Sequence, residues 1–220
     1  GPLGADDHLL YRRSRLNYWA VKALQSRVHL YLGETTEAYR MAKEIIDGKG
    51  ADGAPVMTMS GKEDFAKGYK LCPNECLFYI SKYDIMDYTV PYLIGEATGE
   101  SHNSTRLMIS DNRLAELYQG ENTATHNRFN KCWRQGIRSA SDSKNYSAVT
   151  KYYHQQGIWD SALYYQVIPM LRMSEVYLIA MEASESLPEI NTWYRAYMEA
   201  HDVVAGVVDF TSLGDARRWI

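Results

Sequence analysis

Apolar positions recur at helical spacing in several parts of the chain. Leu16, Trp19, Ala20, Ala23, Leu24, Arg27, Val28, Leu30 and Tyr31 fall on one face, with Asn17, Lys22, Gln25 and Ser26 outside. Gly33 supplies the left-handed residue that ends a helix, and Thr35 or Thr36 caps the next. That second helix runs through Tyr39, Ala42, Ile45 and Ile46 and stops at Asp47-Gly48. The pattern predicts a helix, a tight turn and an antiparallel helix. Ala20, Ala23, Ala38 and Ala42 allow close approach, as in a tetratricopeptide-type unit of about 34 residues. The densest apolar stretch is Tyr164 to Ala183. Pro169 suits a first helical turn, and Leu171, Leu178 and Met181 lie on one side, with Met173, Val176, Tyr177 and Ala180 on another. A helix apolar on several sides sits in a core. Arg172 and Glu175, three residues apart, are expected to form a structural ion pair along it.

Between these segments the helical pattern breaks. Residues 49–70 hold four glycines and Pro55 and read as an irregular connector, with Val56, Met57 and Met59 available for a short strand. Glu75, Leu77, Phe78, Tyr79 and Ile80 read as a buried extended segment. Residues 84–110 read as a long loop, a length that is more often functional than not. Ser110 or Asp111 caps a short helix through Leu114, Leu117 and Tyr118, ended by Gly120. Lys131 to Arg134 and Thr150 to Tyr153 read as extended pieces on either side of a polar stretch, 139–147. A helix around Trp193, Tyr194, Ala196, Tyr197 and Ala200 and a last one from Leu213 to Ile220, capped near Ser212, complete the chain.

Five short stretches carry a family resemblance. Leu171-Arg172-Met173-Ser174-Glu175-Val176-Tyr177-Leu178-Ile179-Ala180-Met181-Glu182-Ala183 resembles the signature helix of the SusD/RagB family, with Met181 in place of one Ala. Ala20 to Gly33 resembles the family's Ala-x-x-Ala-Leu-x-Ala-Arg-x-x-Leu-Tyr-x-Gly run, with Ser26 in place of one Ala. Glu75 to Phe78 is similar to its Glu-x-Ile-Phe stretch, Lys151-Tyr152 to its Lys-Tyr, and Asn127-Arg128 imperfectly to its Asp-x-Arg. The resemblance spans about Asn17 to Ala205 and lacks the family's Asn-x-x-Arg ending.

Members of that family are lipid-anchored proteins of the Bacteroidetes outer membrane that capture nutrients for a SusC-like TonB-dependent transporter. The resemblance therefore implies a mainly α fold of tetratricopeptide-like helical pairs with long irregular loops and a few short strands. It implies surface location, a transporter partner, and an oligosaccharide or peptide ligand. The expected organisation is a recombinant-expression scar at 1–4, a helical pair at 5–48, a loop-rich insertion at 49–163, and the signature and C-terminal helices at 164–220. The family's N-terminal part and extreme C-terminus are expected to be missing.

Composition narrows the function classes. A formal charge of −3 and pI near 6.1 offer no basic excess to neutralise phosphates, so nucleic acid is not expected as a partner. No apolar run is long enough to cross a membrane as a helix. Cys72 and Cys76 resemble half a metal knuckle, but no second pair follows at zinc spacing; with Cys132 they read as half-buried thiols or one local disulfide. No nucleophile elbow, phosphate loop or H-E-x-x-H helix occurs, which disfavours catalysis, and no cofactor or metal is expected. The 18 tyrosines and five tryptophans serve either an aromatic core or ring stacking on sugars. Aromatic and polar residues in Gly- and Ser-rich loops are the ligand-binding candidates: Tyr83, Tyr88, Tyr92, His102, Asn103, Trp133 and Trp159. The leading expectation is non-catalytic glycan capture. Peptide capture and a helical protein-interaction scaffold are the alternatives.

Overall fold

The computed structural model describes residues 14–82, 84–89, 92–93, 107–118, 123–139, 142–153 and 166–220. Helix α1 (Tyr18–Tyr31) is capped by Asn17, whose side chain accepts from the Ala20 amide, and α2 (Thr35–Ile46) follows after a short turn. Gly33 makes that turn at φ 76°, in the left-handed region that favours glycine. Gly48, just past α2, is required for another reason: a Cβ there would come within 2.9 Å of the Trp19 ring.

The two helices meet through Ala20, Ala23 and Ser26 on α1 and Ala38, Met41, Ala42 and Ile45 on α2. Ser26, expected outside, is fully buried and donates to the Ala38 carbonyl at 2.8 Å. Leu16, Leu24, Val28 and Tyr31, expected inside, are exposed. Small residues make the interface because they let the backbones approach, and the bulky side chains are left on the outer face. Lys22 lies across the pair and donates to Glu44 at 2.9 Å.

The expected connector contains a short helix, α3 (Lys62–Ala66), and no strand at Val56 to Met59. A 3-10 turn at Pro73–Glu75 then leads into strand β1 (Cys76–Ser81). The expected long loop holds α4 (Ile85–Thr89) and β2 (Met108–Ser110). Ser110 caps α5 (Asp111–Leu117) as predicted, accepting from the Arg113 amide. Next come α6 (Asn127–Lys131), β3 (Trp133–Arg138) and β4 (Asn145–Val149). The strand β4 starts inside the stretch read as polar loop, while Thr150 to Tyr153 is a turn and not a strand. Strands β2, β4 and β3 form an antiparallel sheet in that order, with Met108 opposite Ala148 and Trp133 opposite Val149.

The densest apolar run is split between two elements. Residues Val167–Arg172 form strand β5, and helix α7 begins only at Met173 (Met173–Ala183). Pro169 is therefore a strand residue opposite Tyr79 of β1, not a first-turn residue. A two-stranded sheet leaves each strand a free edge, so the missing N–H of proline is tolerated there. A short apolar run reads equally as strand or buried helix, and the partner strand β1 decides.

Helix α7 buries Met173, Val176, Ile179, Ala180 and Met181 against α1, α2, α8 (Leu187–Ala200) and α9 (Leu213–Trp219). Each fully buried large apolar side chain of that set contributes about 1.5–3 kcal/mol. Much of the aromatic surplus is spent in this core. Tyr194 stacks with Phe210 and Trp219 at centroid distances of 4.5 and 4.8 Å, and Tyr39 meets Trp193 at 6.0 Å. Among the described residues no helix is long and apolar enough to cross a membrane.

Candidate functional site

The residue-level centre of the molecule is a carboxylate. Glu75, in the turn before β1, is 1 % exposed. Its Oε2 accepts from the Ser60 amide at 3.1 Å, and its Oε1 accepts from the Ser174 hydroxyl at 3.0 Å. Arg128 of α6 and Arg172 of β5 each approach Oε1 at 3.5 Å. Four segments thus meet at one side chain, with a partner as far as 99 residues from Glu75.

This geometry corrects the expected pair along α7. Arg172 is extended, at φ −133° and ψ 153°, so it and Glu175 do not stand three residues apart on one helix. Arg172 turns to Glu75, and Glu175 is taken by Arg27 of α1 through two hydrogen bonds of 2.5 and 2.6 Å. Arg27 also donates to the Met170 carbonyl at 2.8 Å, tying α1 to the β5–α7 junction.

In front of Glu75 lies an open pocket of about 170 Å³. Lys70, Arg128, Lys151 and Arg172 line it, with Tyr118 and Trp133 as aromatic walls. Each is set by local structure: Lys70 by the turn after α3, Tyr118 at the end of α5, Arg128 on α6 and Trp133 at the start of β3. Lys151 sits in the turn that follows β4, and Arg172 ends β5. Trp133 Nε1 donates to the Tyr118 hydroxyl at 3.3 Å, and Tyr118 is held edge-on by His126 and Phe129. The walls are fixed before any ligand arrives.

The electrostatics of the pocket are one-sided. Burial lowers the pKa of both Lys70 and Lys151, with the neighbouring guanidiniums adding to the shift at Lys151. The nearby thiols bring no compensating charge: burial pushes Cys72 up to about 12 and also raises Cys132. Among the described residues Cys72, Cys76 and Cys132 form no disulfide, and no cluster of metal-binding side chains occurs. Burial also pushes His126 down to about 4 and His201 down to about 3, helped at both by Arg128, so neither adds charge at neutral pH.

Among the described residues, the side chains expected to bind ligand are divided between two places. Trp133 lines the basic pocket. Tyr88 and Tyr92 are more than half exposed, with the Lys82 ammonium 4.3 Å from the Tyr88 ring centre. Tyr83, His102, Asn103 and Trp159 lie outside the described residues. Lys70, Tyr118, Arg128 and Lys151 are not among the residues expected from the sequence to form a site. The signal was available: Glu75, Arg128, Lys151 and Arg172 all belong to the short motifs that carry the family resemblance, and they converge here.

No family model matches the chain, and no curated protein matches it. Solved structures do. A SusD superfamily protein from Bacteroides vulgatus ATCC 8482 is 17 % identical at a TM-score of 0.66, over 93 % of this chain and 45 % of that one. A SusD-like carbohydrate binding protein from the same organism is 16 % identical at 0.63, over 94 % and 41 %. Surface glycan-binding protein A from Bacteroides uniformis is 18 % identical at 0.57, over 93 % and 47 %. The chain spans less than half the length of each. The fold is that of part of a SusD-like protein.

Proposed function

We propose, from the SusD-like fold as premise, that this chain is part of a non-catalytic cell-surface protein that captures a glycan. In this reading the captured glycan passes to a TonB-dependent transporter, and the full-length protein is held at the outer membrane by a lipid anchor. The observation that carries the proposal is the fold itself, matched over most of the chain to proteins described as carbohydrate binding and glycan binding. Their descriptions favour a saccharide over a peptide.

Local chemistry supports the same reading. A sugar ring presents C–H faces that stack on aromatic planes, and hydroxyls that need fixed polar partners. Tyr88 and Tyr92 expose their rings, at 55 % and 56 %, although buried aromatics are plentiful elsewhere in the fold. Their exposure is not needed for the core, so truncating them removes binding area and little stability. The double substitution Tyr88→Ala and Tyr92→Ala is expected to weaken oligosaccharide binding at least tenfold in titration calorimetry and leave the melting temperature within about 2 °C of the parent. Unchanged affinity would remove these two residues from the site.

A further inference from the structure

We propose that the pocket formed by Lys70, Arg128, Lys151 and Arg172 is a binding site for a small oxyanion: a sulfate or phosphate group, or the carboxylate of an acidic sugar. Four cationic side chains line the pocket, and behind them stands one carboxylate, Glu75, leaving a formal excess of three positive charges. Among the described residues no carboxylate lies within ion-pair distance of Lys70 or Lys151. The two histidines and two thiols beside the cluster are neutral at pH 7, so among the described residues they do not alter the excess. Like charges gathered in a partly desolvated cavity repel one another, and an anion supplied from outside relieves that repulsion.

Hydrogen-bond capacity points the same way. A guanidinium carries five N–H donors and an ammonium three. Arg128 and Arg172 each give Glu75 a single long contact of 3.5 Å, and among the described residues Lys70 reaches only the Thr150 hydroxyl and carbonyl, at 3.2 and 3.5 Å. Glu75 is already satisfied by Ser60 and Ser174 and cannot take the remaining donors. The surplus is therefore one of donors facing a cavity, which is the requirement for an oxyanion with several lone pairs.

Size sets the ligand class. A volume of about 170 Å³ is below the roughly 300–1,000 Å³ of sites for drug-sized ligands, so the pocket fits an ion or one small ring and not an oligosaccharide. Trp133 and Tyr118 at its wall offer a face to the carbon skeleton of such a ring. A purely structural cluster would have matched cations with carboxylates; this one matches them with a solvent-open cavity.

The experiment compares the parent chain with the double variant Lys70→Met and Lys151→Met, which keeps side-chain length and removes two charges away from Glu75. Titration calorimetry is run with sodium sulfate against sodium chloride at matched ionic strength, and with glucuronate against glucose. The parent is expected to bind sulfate saturably, with at least tenfold loss in the variant while its urea midpoint without anion holds or rises. Glucuronate binding with silence for glucose supports the acidic-sugar source; sulfate binding alone supports a free oxyanion. A sulfate effect equal in parent and variant, or no saturable signal for any anion, overturns the site. The assignment stands apart from the Tyr88 and Tyr92 test, because neutral glycans can bind there whether or not an anion binds here.

Discussion

Glu75 illustrates how much one side chain can decide. It is buried with two arginines, a serine hydroxyl and a backbone amide around it, drawn from segments far apart in sequence. Removing one member of a buried charged cluster leaves the others unpaired, which costs about 3–5 kcal/mol. The substitution Glu75→Gln, with its shape kept and its charge gone, is expected to lower unfolding stability by that amount in urea titrations; a loss below about 1 kcal/mol would show that the cations are solvated well enough without it. The sequence marked Glu75, Arg172 and Glu175 as charges in apolar surroundings, which is why they had to be paired. It did not reveal with whom. Neighbours along a helix are legible from spacing, but Arg27 and Glu175 are 148 residues apart, and only tertiary packing brings them together.

At the scale of elements, α6 docks on the end of α8 through two neutral histidines. His126 and His201 have ring centres 5.6 Å apart, the Asn127 amide donates to the His201 carbonyl at 3.0 Å, and His201 Nδ1 lies 2.7 Å from the Tyr197 carbonyl. An unfolded histidine takes up its proton near pH 6.5, whereas the folded ones resist until about 4 and about 3. Between those values the unfolded chain binds more protons, so stability falls as pH drops below about 6.5. The slope is at most about 1.4 kcal/mol per pH unit for each histidine. Urea midpoints measured from pH 7 to pH 5 should decline, and His201→Gln should flatten the decline; a flat profile for the parent would contradict the docking chemistry.

Elements were legible where a residue's own preference set the boundary. Gly33, Ser110 and Ser212 end or cap helices where expected, because each acts on the backbone within three residues. Boundaries set by a partner were not. Val167–Arg172 is a strand because β1 lies beside it, and α1 turns Ala20, Ala23 and Ser26 inward because α2 approaches so closely. Hydrophobicity alone favoured Leu24 and Val28 for that face, but both are bulky and stand outside it.

For the whole molecule, one helical core organised on α7 carries a basic pocket at its edge and exposed tyrosines on a separate segment. The fold was legible from short motifs because those motifs are the residues that meet at Glu75 and at the α1–α7 junction. The ligand surface was less so: aromatic residues in loops and aromatic residues in the core have the same composition, and only exposure separates Tyr88 from Tyr194. Saccharide capture is the proposed role of the molecule. It is tested most directly by titration calorimetry of the chain against a panel of neutral and acidic oligosaccharides, with a peptide pool at the same concentrations. The account predicts saturable binding of at least one saccharide and none of the peptides; binding of peptides with silence across the glycan panel would contradict it.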